Sequence, residues 1–271
     1  MRTWLFAPAN DRRKLESALR SPAALVVADL EDAVAPARKE TALQAACEFV
    51  AADGDDERRV VRVNDPASEL GARELQVLTE ATAAPIVMVP KATRATVLQA
   101  AASGARTVPL VESARGIAEM EAIAAVDGVV AVALGTADLR AELSLGRSPE
   151  ELELLYERSR LVLACALTGV PAIDGVHLEL DDASGLHRAA LRSRGLGFAG
   201  MLCIHPLQLA IVAAAFAPTP GELKHARRVV DAYERALAGG RGAVAEDGEM
   251  VDLATVRRAR QLLAEGGDVA V

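Results

Sequence analysis

Cysteine is scarce in this chain, and basic residues are outnumbered by acidic ones. The three cysteines, Cys47, Cys165 and Cys203, are odd in number, far apart and set among apolar neighbours, which excludes a disulfide framework and offers no zinc-ligand spacing. They are expected to be buried, reduced thiols. The 30 Lys and Arg face 38 Asp and Glu, a formal charge of −8, which is the wrong sign for a phosphate-backbone partner, so no nucleic acid is expected. No apolar run approaches a membrane span, and Met1 to Pro8 holds none long enough for a signal peptide. A cytoplasmic location with no membrane partner follows as an expectation. Gly104, Gly116, Gly128 and Gly135 fall at element boundaries without forming a dinucleotide fingerprint, and there is no Walker-type phosphate loop.

What is present is apolar bulk in a regular rhythm. Apolar residues make up 51% of the 271 and charged residues 25%, enough for a sizeable core. Short β-branched runs recur at Trp4–Pro8, Leu25–Leu30, Val60–Asn64, Ile86–Pro90, Thr107–Val111, Val129–Leu134, Ala172–Val176 and Met201–Ile204. Helix-forming stretches separate them, among them Arg38–Ala52, Ala92–Ser103, Ile117–Val126 and Leu152–Leu167. Eight strands alternating with helices fit a closed (β/α)₈ TIM barrel over residues 1–217 better than an open sheet. Beyond Pro218 lie a helix from about Glu222 to Leu237, a turn at Glu246–Glu249 and a further amphipathic helix. This extension, 218–271, exceeds what a barrel requires and is expected to cap a neighbouring subunit.

In such a barrel the active site forms where strands end, so polar residues closing an apolar run carry the functional signal. The second run closes on Asp29, Glu31 and Asp32, the third carries Arg62 and Asn64, and Lys91 follows the fourth. Glu112 ends the fifth, the sixth runs into Asp138, the seventh carries Asp174 and His177, and the eighth meets His205. A single carboxylate after a strand is often only the cap of the next helix. Several in one mouth repel one another unless a cation is present, and oxygen ligands favour Mg²⁺, with Mn²⁺ possible in its place. Arg62 lies between valines and needs an anionic partner, and a role toward substrate or an oxyanion is favoured over a structural ion pair. His177 and His205 are weaker signals.

These residues fall into ordered motifs: Trp4-Leu-Phe-Ala-Pro8, Asp29-Leu-Glu-Asp-Ala-Val34, Arg62-Val-Asn64, Pro90-Lys91, Pro109-Leu-Val-Glu-Ser-Ala-Arg-Gly116, Gly135-Thr-Ala-Asp-Leu139, Ala172-Ile-Asp-Gly-Val176, Cys203-Ile-His-Pro206 with Gln208, and Asp247-Gly-Glu-Met-Val-Asp252. Together they resemble the citrate lyase β-subunit-like family within the HpcH/HpaI aldolase group, along nearly the whole chain. The resemblance implies a phosphoenolpyruvate/pyruvate-type barrel, assembled as a homotrimer. The implied reaction is Mg²⁺-dependent cleavage of a 3-hydroxyacyl-CoA thioester, of citramalyl, malyl or citryl type, into acetyl-CoA and a 2-oxo acid. The alternatives are the β subunit of a multi-subunit citrate lyase acting on a carrier thioester, and a CoA-independent hydroxy-oxo-acid aldolase.

By motif, the metal ligands fall on Glu112 and Asp138, with Asp29, Glu31 and Asp32 behind metal-bound waters. The substrate contacts fall on Pro8, Arg62, Asn64 and Lys91, with Arg62 balancing the charge that develops during cleavage. Asp252 is implied as the proton-transferring residue, contributed by a neighbouring subunit. Three positions depart from the family pattern: Ser113 where threonine is common, Ala137 where glutamate is common, and Leu207 where a small polar residue is usual.

Overall fold

The computed structural model describes residues 2–52 and 57–267. The chain divides into two compact units, Met1–Phe216 and Ala217–Val271. In the first, eight parallel strands close into a barrel in sequence order. They are β1 (Thr3–Pro8), β2 (Leu25–Asp29), β3 (Arg59–Arg62), β4 (Ile86–Val89), β5 (Arg106–Val111), β6 (Val132–Leu134), β7 (Ala172–Asp174) and β8 (Gly200–Cys203), with β1 pairing to β8 to complete the ring. Residues along a strand alternate between faces. Trp4, Val27, Val60, Met88, Val108, Leu110, Ala133, Ile173 and Leu202 form one cluster, the filling of the barrel. Leu5, Val26, Ala28, Val61, Val87, Val89 and Cys203 pack outward against the helices. The same parity carries forward to the strand ends. Two steps beyond Val27 is Asp29, two beyond Val60 is Arg62, and two beyond Leu110 is Glu112, so the inward rows of β2, β3 and β5 end in a charged residue at the mouth.

Several elements differ from the sequence expectation, each because of a specific side-chain contact. The helix expected over Ile117–Val126 is two short ones, α5 (Ala114–Ala118) and α6 (Met120–Ala124), broken at Glu119 with φ −103 and ψ 6. The Glu119 carboxylate reaches back to accept the Arg94 N–H that opens α4 (Arg94–Ala102), a contact invisible to local periodicity. Strand β3 stops at Arg62, two residues short of Asn64, because the Asn64 N–H is taken by the Glu74 carboxylate in α3 (Glu69–Ala81). Strand β7 stops at Asp174, whose own side chain accepts the next N–H, from Gly175.

In the second unit α11 (Pro220–Ala238) and α12 (Leu253–Glu265) flank a hairpin of β9 (Val244–Glu246) and β10 (Glu249–Val251). The sequence showed only a turn there. Asp247 and Gly248 both take positive φ, 50 and 83, the combination that a tight two-residue hairpin loop requires. Ala226, Val229, Tyr233, Val251, Val256, Ala259 and Leu263 close the core of this unit. No described helix is long and apolar enough to cross a membrane. Cys47, Cys165 and Cys203 are free thiols, the latter two buried and pushed up to about 12 by that burial.

Candidate active site

A cavity of about 450 Å³ opens at the carboxyl ends of the strands. Its inner wall is apolar, made by Phe6, Leu110, Leu134, Val176, Leu202 and Ile204, and its rim holds Pro8, Asp29, Asp32, Arg62, Glu112 and Asp138. Six of the residues singled out from sequence thus line one space. Glu31 sits directly behind it, tied to Arg62.

Arg62 is the organising cation, and it answers to both sides of the sequence alternative. Its Nε and Nη2 donate to the two oxygens of Asp29, each at 2.7 Å, while Nη1 lies 3.0 Å from Glu31 Oε2 and 3.7 Å from Asp32 Oδ2. The guanidinium also rests 5.0 Å from the centroid of the Phe6 ring. Burial opposes its charge, but the Asp29 bonds and the surrounding carboxylates outweigh that and hold Arg62 above its ordinary value. It is therefore a structural ion pair that also faces the cavity. Asp29 has little capacity left, since its oxygens accept the N–H groups of Glu31 and Ala33 as well.

Glu112 is 3% exposed and continues the inward row of β5. Its Oε1 accepts the Lys91 N–H at 2.7 Å. Lys91 holds a left-handed backbone, φ 45, which is costly for a lysine and aims that N–H at the carboxylate. On the other side Gly135 presses against Glu112. A Cβ on Gly135 would stand 2.4 Å from Glu112 Oε2, so only glycine fits. Burial pushes the Glu112 carboxyl up to about 8, with the charges of Glu31 and Asp138 adding to the rise against the Lys91 bond. Burial raises Glu31 too, against the pull of Arg62. Glu31 Oε2 is buried and, although close to Arg62, has no aligned hydrogen bond. Asp138 stands in the first turn of α7 (Thr136–Glu142), directly after Gly135.

Two expected substrate residues are placed differently from the rim group. Asn64 does not line the cavity. Its amide donates to Leu30 O and Glu74 Oε1, and its oxygen accepts from Lys39 Nζ, so the side chain is committed to holding the β2 and β3 ends together. Lys91 contributes its backbone to Glu112, and its Nζ lies 3.3 Å from Glu31 Oε1, whose charge raises the lysine. Asp174, read from sequence among the rim acids, is instead fully buried behind the wall and paired with Arg158 and Ser193. His205 accepts the Leu207 N–H, and Gln208 bridges the β7 and β8 loops through His177 O, Ile204 N and His205 N. Leu207 itself is exposed, and nothing in the structure explains it.

In the second unit Asp252 caps α12. Its Oδ1 accepts the N–H groups of Ala254 and Thr255, which hold its carboxyl below the ordinary value. Sequence reasoning missed Phe6, whose ring backs the guanidinium, and Lys39, which donates to Leu30 O, Glu31 O and Asn64 and fixes the acidic loop. Phe6 lies inside the Trp4–Pro8 motif but only the inward parity of β1 signals its role, and Lys39 belongs to no motif.

The HpcH/HpaI aldolase/citrate lyase family matches residues 2–206 of this chain. A (3S)-malyl-CoA thioesterase of Cereibacter sphaeroides is 35% identical over 99% of this chain and 95% of its own length. The citrate lyase subunit beta of Escherichia coli is 32% identical over 97% of this chain and 92% of its own. The CitE protein of Mycobacterium tuberculosis, crystallised with magnesium, acetoacetate and coenzyme A, superposes with a TM-score of 0.86 at 36% identity and 98% coverage of both chains. Agreement of this extent in sequence and in fold means that the chain belongs to the HpcH/HpaI aldolase/citrate lyase family, as a carbon–carbon lyase of the citrate lyase β-subunit-like type.

Proposed function

We propose that Glu112 and Asp138 hold Mg²⁺ at the barrel mouth, and that the site cleaves a 3-hydroxyacyl-CoA thioester of malyl or citramalyl type into acetyl-CoA and a 2-oxo acid. The observation that carries the reading is the surplus of buried carboxylate: Glu112 raised to about 8 with Asp138 adding to the rise, and Glu31 Oε2 without an aligned donor between Arg62 and Lys91. A divalent cation removes that surplus. Among the described residues no three His, Cys, Asp or Glu side chains converge closely enough to hold an ion alone. A two-carboxylate site suits Mg²⁺, which takes one or two carboxylates and leaves its other positions to water and substrate oxygens. When bound, the ion supplies Lewis-acid polarisation of substrate oxygens at no cost in protons.

The protein residues supply the rest. Arg62, fixed by Asp29, presents a rigid positive charge to negative charge developing in the cavity. Glu31 and Asp32 form the hydrogen-bonding shell behind the ion, Asp29 backs it by fixing Arg62 and the loop that carries them, and Lys91 orients Glu112. Pro8 at the rim bounds the substrate. The free Oδ2 of Asp252 is the oxygen left to move a proton at the acetyl carbon, in a trimer where a neighbour supplies it. An apolar stripe on α8 (Leu155–Thr168) and the turn before it, Leu152, Tyr156, Leu163 and Leu167, each at least 60% exposed, supports self-association. Three free thiols suit a reducing compartment, the cytoplasm.

A second depression, lined by Arg12, Arg13, Lys14 and Arg38 and sharing Pro8 and Ala33 with the main cavity, supports a polyanionic substrate arm such as the phosphates of CoA. Purified protein with Mg²⁺ is expected to release acetyl-CoA and a 2-oxo acid from malyl- or citramalyl-CoA. Thioester hydrolysis is a second reading, favoured by the similarity to a malyl-CoA thioesterase, and it would release free CoA with the hydroxy acid intact. Turnover of free CoA esters would rule out a strict requirement for a carrier-bound thioester. Release of pyruvate from a hydroxy-oxo acid, with no response to CoA esters, would overturn the CoA reading.

A further inference from the structure

We propose that Glu151 is a positioning residue for Asp138, acting through Arg140. The inference rests on Asp138 being a metal ligand. Helix α7, which carries Asp138, has seven residues and no side-chain cap at its start, too short to hold its own orientation. Its last turn carries Arg140, a side chain 11% exposed, and this arginine is gripped by ion pairs from the residues that follow the helix. Arg140 Nη2 donates to Glu151 Oε1 at 2.8 Å, and Nη1 donates to Gly146 O at 2.6 Å and to Glu153.

Glu151 reaches further than α7. Its Oε2 accepts from Arg158 Nη2 of α8 at 2.7 Å and from Arg192 of α9 (Ala183–Leu196). Arg158 in turn donates Nε to both oxygens of Asp174, at 3.0 and 3.1 Å, on the wall strand β7. One carboxylate therefore joins three guanidiniums from three helices and refers α7 to the barrel wall. Glu151 does this from a left-handed backbone, φ 47 and ψ 43, which glycine or asparagine would adopt at less cost. The carboxylate, not the backbone, is what this position uses. Asp138 lies two residues before Arg140, so loosening the grip on α7 displaces a metal ligand without touching the cavity.

The test uses the full chain with E151Q and E151G, reading Mg²⁺ affinity by calorimetry, the Mg²⁺ dependence of turnover, and thermal stability. Both variants lose the carboxylate, but E151G relaxes the backbone and keeps more stability. Mg²⁺ affinity is expected to fall about 10- to 100-fold in both, the range for outer partners of metal ligands. The turnover number is expected to recover at saturating Mg²⁺. Unchanged Mg²⁺ affinity in folded E151Q and E151G, with only their stability altered, overturns the proposal. D138N is measured alongside: wild-type Mg²⁺ affinity in that variant overturns the reading of Asp138 itself.

Discussion

Two ionic clusters lie within the barrel unit, and they are built on opposite accounts of charge. Behind β7, the carboxylates Glu151, Glu153 and Asp174 meet Arg140, Arg158 and Arg192 one for one. Burial works against Glu151, but Arg158 and Arg192 hold it below its ordinary value, and bonds from Ser148 and Arg140 hold Glu153 at about 2 in spite of burial. At the mouth, Asp29, Glu31, Asp32, Glu112 and Asp138 share, among the described residues, only Arg62 and Lys91. There the carboxyls of Glu31 and Glu112 are raised. A structural cluster closes its own balance, and a binding site leaves a deficit that its ligand fills. The deficit at the mouth equals more than one unit of charge and calls for a divalent ion.

The sharpest way to break this contrast is to remove the deficit. E112Q or D138N should lower turnover by about 10³-fold, since metal ions contribute several kcal/mol to such transition states. Steady-state kinetics at saturating Mg²⁺ checks this. R62Q should hurt both function and folding, because it strands the Asp29 carboxylate, which is 2% exposed. Breaking a buried pair costs about 3–5 kcal/mol, measurable by urea unfolding, and R62K should rescue little because a lysine cannot reproduce the two-armed contact.

Smaller effects follow from pH. The folded Glu112 carboxyl is raised to about 8, so the stability that its protonation provides is present at low pH and lost as pH rises through 8. Metal-free protein should therefore show a Tm contribution that falls between about pH 4.5 and 8 and levels off above that. Saturating Mg²⁺ or the E112Q change should flatten that fall. The balanced cluster has the opposite sign. Glu153 is lowered from 4.5 to about 2, so its contribution is complete above the unfolded value and disappears as pH drops toward 2. E153Q should remove part of that acid-side loss. Least of all, R73Q breaks an exposed pair with Glu40 and should leave activity and Tm unchanged.

The contrast also marks how far sequence could be read. The strands were legible because Val26-Val27, Val60-Val61 and Val87-Met88 are dense apolar runs, and Asp29, Arg62 and Glu112 were legible as the polar residues that close such runs. Arg62 stood out because nothing beside it in the chain could pair with it. Other features depended on partners distant in sequence. Asp174 looks like Asp29 in the chain, a carboxylate closing an apolar strand, and only Arg158 and Ser193 from two helices show that one is structural. Asn64 was drawn away from the cavity by Glu74 and Lys39, neither of which has a signature. The break at Glu119 came from a cap donated to another helix. The grip of Glu151 on three helices needs a left-handed residue in a loop, and no local pattern announces it.

Calorimetric titration of metal-free protein with Mg²⁺, repeated on E112Q and D138N with folding checked by circular dichroism, tests the central claim most directly. The charge deficit predicts one ion bound per chain in the native protein and none in either variant. A native protein that binds no ion, or folded variants that bind it as tightly as the native chain, would contradict the account.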